Sequence, residues 1–220
     1  MKICFQINVY EKTYREMFDW RLEHYLKTIN YNFDEYILVV NNVSNRMDVL
    51  EKAKKFPKFN IYFAGDNDQE VLEHFDLLDL GKAYVYTIPH LYAIYYSRCD
   101  YIFHISEDIE NLVIDNFIEE SIDIMKDVSI ISTIPDWGYE KLDGFYREKN
   151  FDVTIGFSDQ IYIINKKMFE SASFYKFSHP FSNRYPEYGG ECFEKRIDSY
   201  MMCNNLKRAV HKKSKYTHMR

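Results

Sequence analysis

The sequence contains few cysteines, and the four that are present lie far apart. Cys4, Cys99, Cys192 and Cys203 match neither the spacing of zinc ligands nor the density of a disulfide-stabilised scaffold. Free thiols in a reducing compartment are the simpler interpretation. The cysteine content therefore favours a cytoplasmic protein.

Long apolar runs are also absent from the chain. No stretch reaches the length of a membrane-spanning helix, and Met1-Lys2 leads directly into an apolar strand rather than into a signal peptide. We therefore expect a soluble, intracellular protein without a transmembrane segment.

An excess of positive charge is the third feature that the sequence lacks. Lys and Arg number 28 against 34 Asp and Glu, which gives a net charge of −6. A nucleic-acid-binding surface is normally basic, so the charge argues against a nucleic-acid partner. The segment from Lys207 onward is locally basic and could instead face a diphosphate.

The composition is that of one globular domain. The 220 residues are 46% hydrophobic, which is enough for a sizeable core. No linker, internal repeat or low-complexity tract divides the chain, so a single domain over residues 1–220 is predicted. Tyr (20) and Phe (17) are abundant; this indicates either a Tyr-rich cleft suited to sugars and bases or simple compositional drift.

The first half alternates apolar strands with amphipathic helices. This alternation predicts a mainly parallel sheet flanked by helices. Thr13 and Glu16 read as a capping box at the start of the first helix, and Thr87 and Pro89 are expected to open a helix that ends near Arg98. The predicted strands are Ile3–Val9, Tyr36–Val40, Asn60–Ala64 and Tyr101–Ile105.

The second half breaks this alternation. Strands are predicted at Val128–Ile134 and Ile161–Ile164, and a helix is predicted at Asn116–Lys126. Residues 139–155 look like a loop or flap, and a short closing segment is expected to begin at Arg208.

The strand at Tyr101–Ile105 ends on Ser106, Glu107 and Asp108. The carboxyl end of a buried parallel strand is where polar side chains can meet a ligand. Two adjacent carboxylates there are costly unless a cation neutralises them. These residues either form a Mg²⁺ or Mn²⁺ site for a phosphorylated ligand or merely open the next turn.

On these features the chain resembles the GT-A-fold glycosyltransferases, family-2-like enzymes that use nucleoside-diphosphate sugars. The resemblance implies an α/β, Rossmann-like domain with a nucleotide-sugar-binding half (residues 1–108) and an acceptor-binding half (residues 109–220). It also implies sugar transfer to a glycan hydroxyl, assisted by Mn²⁺ or Mg²⁺. The residues that it aligns with donor contacts are Asn8, Tyr10, Glu11, Asn41, Asn42, Ser44, Ser106, Glu107 and Asp108.

Three further residues take roles from the same resemblance. The family's Asp-x-Asp metal motif falls on residues 106–108, with Ser106 in place of the first Asp and Asp108 as the metal ligand. His218 matches a late histidine that completes metal or diphosphate binding, or else it is a frayed surface residue. Glu191, after Gly189-Gly190, matches the acceptor base of inverting members, or else it is a first-turn acid favoured by the helix dipole. Independently of the resemblance, Asp159 lies in a polar cluster just before a strand and could bind acceptor hydroxyls or act as the base in place of Glu191. His90 and His104 are interpreted as packing residues.

Two other classes remain open at this point. A sugar nucleotidylyltransferase would share the sheet, the nucleotide and Mg²⁺, but it would need a Gly-rich basic signature near the N-terminus, and residues 8–16 contain no Gly. A non-catalytic carbohydrate-binding domain is favoured by the missing first Asp. Donor hydrolysis across several nucleotide sugars would separate that domain from an enzyme.

Overall fold

A nine-stranded sheet is the centre of the protein, within the residues that the computed structural model describes: 1–75, 77, 83–125, 128–134, 150–154, 159–169, 193–194, 197, 201 and 204–219. The strand order is β3-β2-β1-β4-β8-β6-β9-β5, and β7 pairs with β9. The strands are β1 (Ile3–Tyr10), β2 (Glu35–Asn41), β3 (Phe59–Phe63), β4 (Tyr101–Ile105), β5 (Ile109–Val113), β6 (Ile130–Ile134), β7 (Phe151–Thr154), β8 (Ile161–Asn165) and β9 (Arg208–His218).

Helices cover both faces of this sheet. Because side chains alternate along a strand, Phe5 and Cys4 on β1 point into two separate apolar clusters. No helix in the described ranges is long and apolar enough to cross a membrane. The helices are α1 (Tyr14–Glu16), a π-helical segment (Met17–Arg21), α2 (Leu22–Ile29), α3 (Arg46–Ala53), α4 (Asp68–His74), α5 (Tyr84–Tyr96), α6 (Phe117–Ile124) and α7 (Lys166–Phe169).

The four strands predicted in the first half are all present and parallel. β1 pairs with β2 on one side and with β4 on the other, and β2 pairs with β3. The carboxyl ends of these strands therefore meet at one edge of the sheet, as the sequence predicts. The fold class, a mixed α/β protein with a central sheet flanked by helices, is confirmed.

Among its described residues, the second half adds five strands to the sheet, and the predicted strands β6 and β8 are both present. β8 runs antiparallel to β4, and β6 runs antiparallel to β8. The closing segment is not short: β9 extends over eleven residues and pairs with β5, β6 and β7. β5 was not predicted, and β7 lies inside the expected loop at 139–155. Strands of four or five residues that are interrupted by polar residues carry a weak local signal.

Two helix starts also differ from their prediction. Thr13 makes no capping hydrogen bond within α1; its Oγ1 accepts from the backbone N–H of Tyr10 at 3.2 Å, while Glu16 pairs with Arg21. α5 begins at Tyr84, so that Pro89 lies inside the helix instead of opening it. By contrast, Asn45 caps α3, and its Oδ1 accepts from the backbone N–H of Asp48 at 3.1 Å.

A buried polar cluster connects the two halves of the sheet beneath the strand ends. His104 on β4 bonds Gln6 on β1 and stacks on Tyr162 of β8, with ring centroids 4.8 Å apart. His90 on α5 bonds the Tyr162 hydroxyl at 2.7 Å. Burial lowers the pKa of His90 to about 3 and also lowers the pKa of His104. Both rings are therefore neutral near pH 7.

We predict that the contribution of these two histidines to stability is lost in acid. A histidine with a lowered pKa binds fewer protons folded than unfolded, so its contribution to stability is lost as pH falls below the unfolded value of about 6.5. Each such ring should reduce the free energy of unfolding by about 1.4 kcal/mol per pH unit. Urea unfolding between pH 7 and pH 5 measures this slope.

The matched variants are His90→Gln and His24→Gln, since His90 is buried and His24 is exposed. His90→Gln should reduce the slope of the free energy of unfolding against pH by the contribution of one histidine. His24→Gln should leave this slope unchanged. Equal slopes for His90→Gln and the native protein would contradict the buried, neutral state.

Candidate active site

The candidate site is a cleft of about 470 Å³ at the carboxyl edge of the parallel strands. Residues from the ends of β1, β2 and β4 reach it together with the start of α5 and the segment before β8. Most of the donor-contact residues expected from the sequence lie here. The lining residues are Asn8, Tyr10, Glu11, Lys12, Thr13, Asn42, Val85, Tyr86, His90, His104, Ser106, Glu107, Asp108, Asp159 and Gln160.

Glu11 and Ser44 connect the loops that follow β1 and β2. One carboxylate oxygen of Glu11 accepts from both the backbone N–H of Ser44 at 2.6 Å and its hydroxyl at 2.9 Å. These bonds lower the pKa of Glu11, which is therefore an anion at neutral pH. Ser44 itself lines a neighbouring 260 Å³ pocket that shares Asn42 with the cleft.

Pro89 explains how α5 is attached to the strand ends. A proline inside a helix has no N–H for the carbonyl four residues earlier, which here belongs to Val85. That carbonyl accepts instead from Asn41 Nδ2 at 2.9 Å and from the Tyr10 hydroxyl at 3.2 Å. Asn41 is therefore a buried structural link that does not line the cleft.

Three carboxylates crowd the wall of the cleft formed by β4 and the start of β8. Burial, then the charge of Asp108, raise the pKa of Glu107 to about 7. Burial is also the main cause that raises the pKa of Asp159 to about 6, and Asp108 adds to it. The same anions and burial raise the pKa of Tyr10. Such a site has a strong preference for a cation.

Asp108 has a carboxylate oxygen that is available to a cation. Its Oδ1 is buried and has no hydrogen-bond partner among the described residues. The described part of the chain holds no group of three His, Cys, Asp or Glu that could bind a metal on its own. Mg²⁺ binds through one or two carboxylates plus phosphates and water, so Asp108 fits a cation that arrives with a phosphorylated ligand.

His218 lies beside the acidic turn, at the end of β9. It is in register with Ile109, and the next backbone N–H, that of Met219, donates to the carbonyl of Asp108 at 2.9 Å. His218 is close enough to Asp159 to act on its pKa in the lowering direction, against the larger effect of burial. His218 is thus an ordered strand residue near the three carboxylates, although it does not line the cleft.

Several lining residues were not anticipated, and one predicted residue cannot be placed. Glu191 lies outside the described residues. His90 and His104, interpreted as packing residues, line the cleft as well, and Gln160 does so next to Asp159. The sequence did contain an indication of this polar region. Gln6 and Asn8 lie on the same face of β1, and polar side chains on one face of a central strand indicate a site.

Comparisons with known proteins support the fold. No protein-family model and no curated protein matches the sequence. Solved structures do match over the whole chain. S. aureus TarS 1–349 in complex with UDP-GlcNAc gives a TM-score of 0.56 at 10% identity, over 100% of this chain and 59% of that one. GalNAc-T7 with UDP, GalNAc and Mn²⁺ gives a TM-score of 0.58 at 8% identity, over 100% and 44%.

The chain therefore has the GT-A glycosyltransferase fold. It spans between 37% and 60% of the length of the solved chains that it matches. At 8–11% identity the likeness defines the architecture, and the chemistry must be argued from the cleft.

We predict that the crowded carboxylates destabilise the cation-free protein. Asp108→Asn removes one of three like charges while it keeps size and polarity, so it should raise the free energy of unfolding by about 1 kcal/mol. Urea unfolding in EDTA at pH 8 measures the change. Glu110→Gln, at an exposed position of β5, is the control and should be neutral. A destabilised Asp108→Asn protein would contradict the repulsion.

Proposed function

We propose that the protein is a glycosyltransferase that moves a sugar from a nucleoside-diphosphate sugar to a hydroxyl of a glycan acceptor, with assistance from a divalent cation. The observation that carries this proposal is the carboxylate-walled cleft at the carboxyl edge of a GT-A sheet. In this proposal residues 1–108 bind the donor and residues 109–220 bind the acceptor.

The donor side of the cleft offers polar groups from three separate strand ends. Asn8 and Asn42 supply amides near Ser106, and Tyr10 supplies an aromatic face on which a base or a sugar can stack. Glu11, already bonded to Ser44, shapes the wall. The UDP-GlcNAc complex of TarS and the UDP, GalNAc and Mn²⁺ complex of GalNAc-T7 support a UDP-sugar as the first donor to test.

Asp108 would hold the divalent cation, Mn²⁺ or Mg²⁺, and His218 is the second candidate ligand. The cation would supply Lewis-acid stabilisation of the charge that develops on the leaving diphosphate. Asp108 suits this task because its free oxygen is already buried beside the cleft. Lys12 lines the same cleft and adds positive charge for a diphosphate.

The acceptor hydroxyl needs a base to take its proton in the transition state. Asp159 lies in the cleft, and its pKa of about 6 leaves it ionised at neutral pH while it keeps more basicity than an ordinary aspartate. Glu191 remains the candidate from the Gly-Gly-Glu sequence. If this base activates a hydroxyl that attacks the anomeric carbon from the side opposite the leaving group, the reaction inverts the configuration at that carbon.

We predict that Asp108→Ala lowers donor turnover by at least about 100-fold, since a Lewis-acidic cation supplies several kcal/mol. Hydrolysis of UDP-GlcNAc and UDP-GalNAc with Mn²⁺ or with EDTA is the assay. EDTA should reduce the native rate to a similar degree.

The control is Glu110→Ala, whose exposed side chain is not part of the cleft; it should retain native turnover. Full activity of Asp108→Ala would show that the diphosphate is neutralised in another way. Sugar binding without any turnover by the native protein would favour the non-catalytic interpretation.

We further predict that only one of the two base variants, Glu191→Gln or Asp159→Asn, lowers transfer by about 100-fold or more, the usual worth of a positioned base. Donor affinity should stay nearly unchanged, because the base contacts the acceptor. The anomeric configuration of the product, read by NMR, should be inverted.

Glu187→Gln and Glu194→Gln are the controls for the Glu191 position and should remain active. Normal transfer by both base variants, or a product that retains the donor configuration, would refute the single-displacement mechanism.

A further inference from the structure

Three consecutive backbone carbonyls in the turn that carries Glu107 and Asp108 accept hydrogen bonds from Tyr25 and Met219. The Tyr25 hydroxyl lies 2.6 Å from the carbonyl oxygen of Ile109 and 3.3 Å from that of Glu107. The backbone N–H of Met219 donates to the carbonyl of Asp108 at 2.9 Å. The backbone of this turn is therefore fixed at three consecutive carbonyls, while Glu107 and Asp108 line the cleft.

Tyr25 makes these contacts from α2, where its side chain is buried. One phenolic proton is shared between two carbonyls, and the short distance to Ile109 marks the stronger bond. The Arg21 guanidinium also influences this hydroxyl, but the carbonyls of Glu107 and Ile109 are the acceptors of its proton.

Arg21 supports both segments that hold the turn. Its side chain is 5% exposed, and Nε bonds the carboxylate of Glu16 at 3.0 Å. Its Nη2 lies 2.6 Å from Met219 Sδ, and the guanidinium is close enough to the Tyr25 hydroxyl for the two groups to influence each other's pKa. Arg21 and Tyr25 are four residues apart, which places them on the same helix face.

The helix is π-helical at Met17–Arg21, immediately before α2. Wider turns of this kind are rare and occur frequently at functional sites. Here the π-helical segment ends on Arg21, which contacts Met219 beside the acidic turn.

We propose that Tyr25 and Arg21 are positioning residues: they fix the backbone of residues 107–109 so that the carboxylates face the cleft, and they thereby set the cation affinity of the site. The second part of this proposal rests on the proposed function. Without these hydrogen bonds, repulsion among Glu107, Asp108 and Asp159 would displace the backbone of the turn. Residues that hydrogen-bond to metal ligands commonly hold those ligands in the geometry that binds the metal.

The test compares Tyr25→Phe with Tyr14→Phe. Tyr14 is a matched control, because it is equally buried in the same helical region and its hydroxyl bonds Asp48 at 2.8 Å, away from the acidic turn. Each variant removes one oxygen and keeps the ring. Urea unfolding should show that both proteins remain folded.

Two readouts are measured on the full chain. Amide hydrogen exchange of Met219, without metal, should accelerate roughly 5-fold or more in Tyr25→Phe, as expected for the loss of one hydrogen bond that supports the turn. Mn²⁺ affinity in the presence of UDP, followed by electron paramagnetic resonance, should weaken by about 10-fold or more. Tyr14→Phe should change neither.

The outcomes separate the two proposals. Native exchange at Met219 in Tyr25→Phe would overturn the positioning role, whatever the metal does. Faster exchange with native Mn²⁺ affinity would overturn the link to the cation. A native protein that binds neither Mn²⁺ nor UDP would overturn the proposed function, and hydrogen exchange alone would then decide the positioning role.

Discussion

Repulsion among three carboxylates in one cleft is the constraint on which the site depends. Glu107, Asp108 and Asp159 share a partly buried wall, where burial and mutual charge raise the pKa of two of them. Beneath them the floor is kept uncharged, because burial holds His90 and His104 neutral. A divalent cation would remove the repulsion. The crowding of the carboxylates therefore destabilises the cation-free protein and favours binding of the cation.

Much of the parallel half could be predicted because its signals are local. β1, β2, β3 and β4 are apolar runs, and the helices between them have apolar faces. Once these strands are parallel, their carboxyl ends must meet, and Asn8, Asn42 and Asp108 come together as a result. The cleft therefore follows from secondary structure and topology alone.

The remainder depends on contacts between residues far apart in the chain. β5 is short and its apolar residues are interrupted by Glu110 and Asn111, and it is a strand because β9, about a hundred residues later, pairs with it. Pro89 is typical of a helix start, but it lies inside α5 because Tyr10 and Asn41 donate to the carbonyl of Val85, which Pro89 leaves without a partner. No periodicity in the sequence marks the π-helical segment or the contact of Tyr25 with the acidic turn.

The most direct test of the account is a crystal structure of the native protein soaked with MnCl₂ and UDP, with anomalous scattering used to locate manganese. The account predicts one strong peak within coordination distance of the Asp108 carboxylate, in contact with the diphosphate, with the nucleoside lying towards Tyr10 and Asn42. A diphosphate bound elsewhere, or bound at this cleft with no manganese near Asp108, would contradict it.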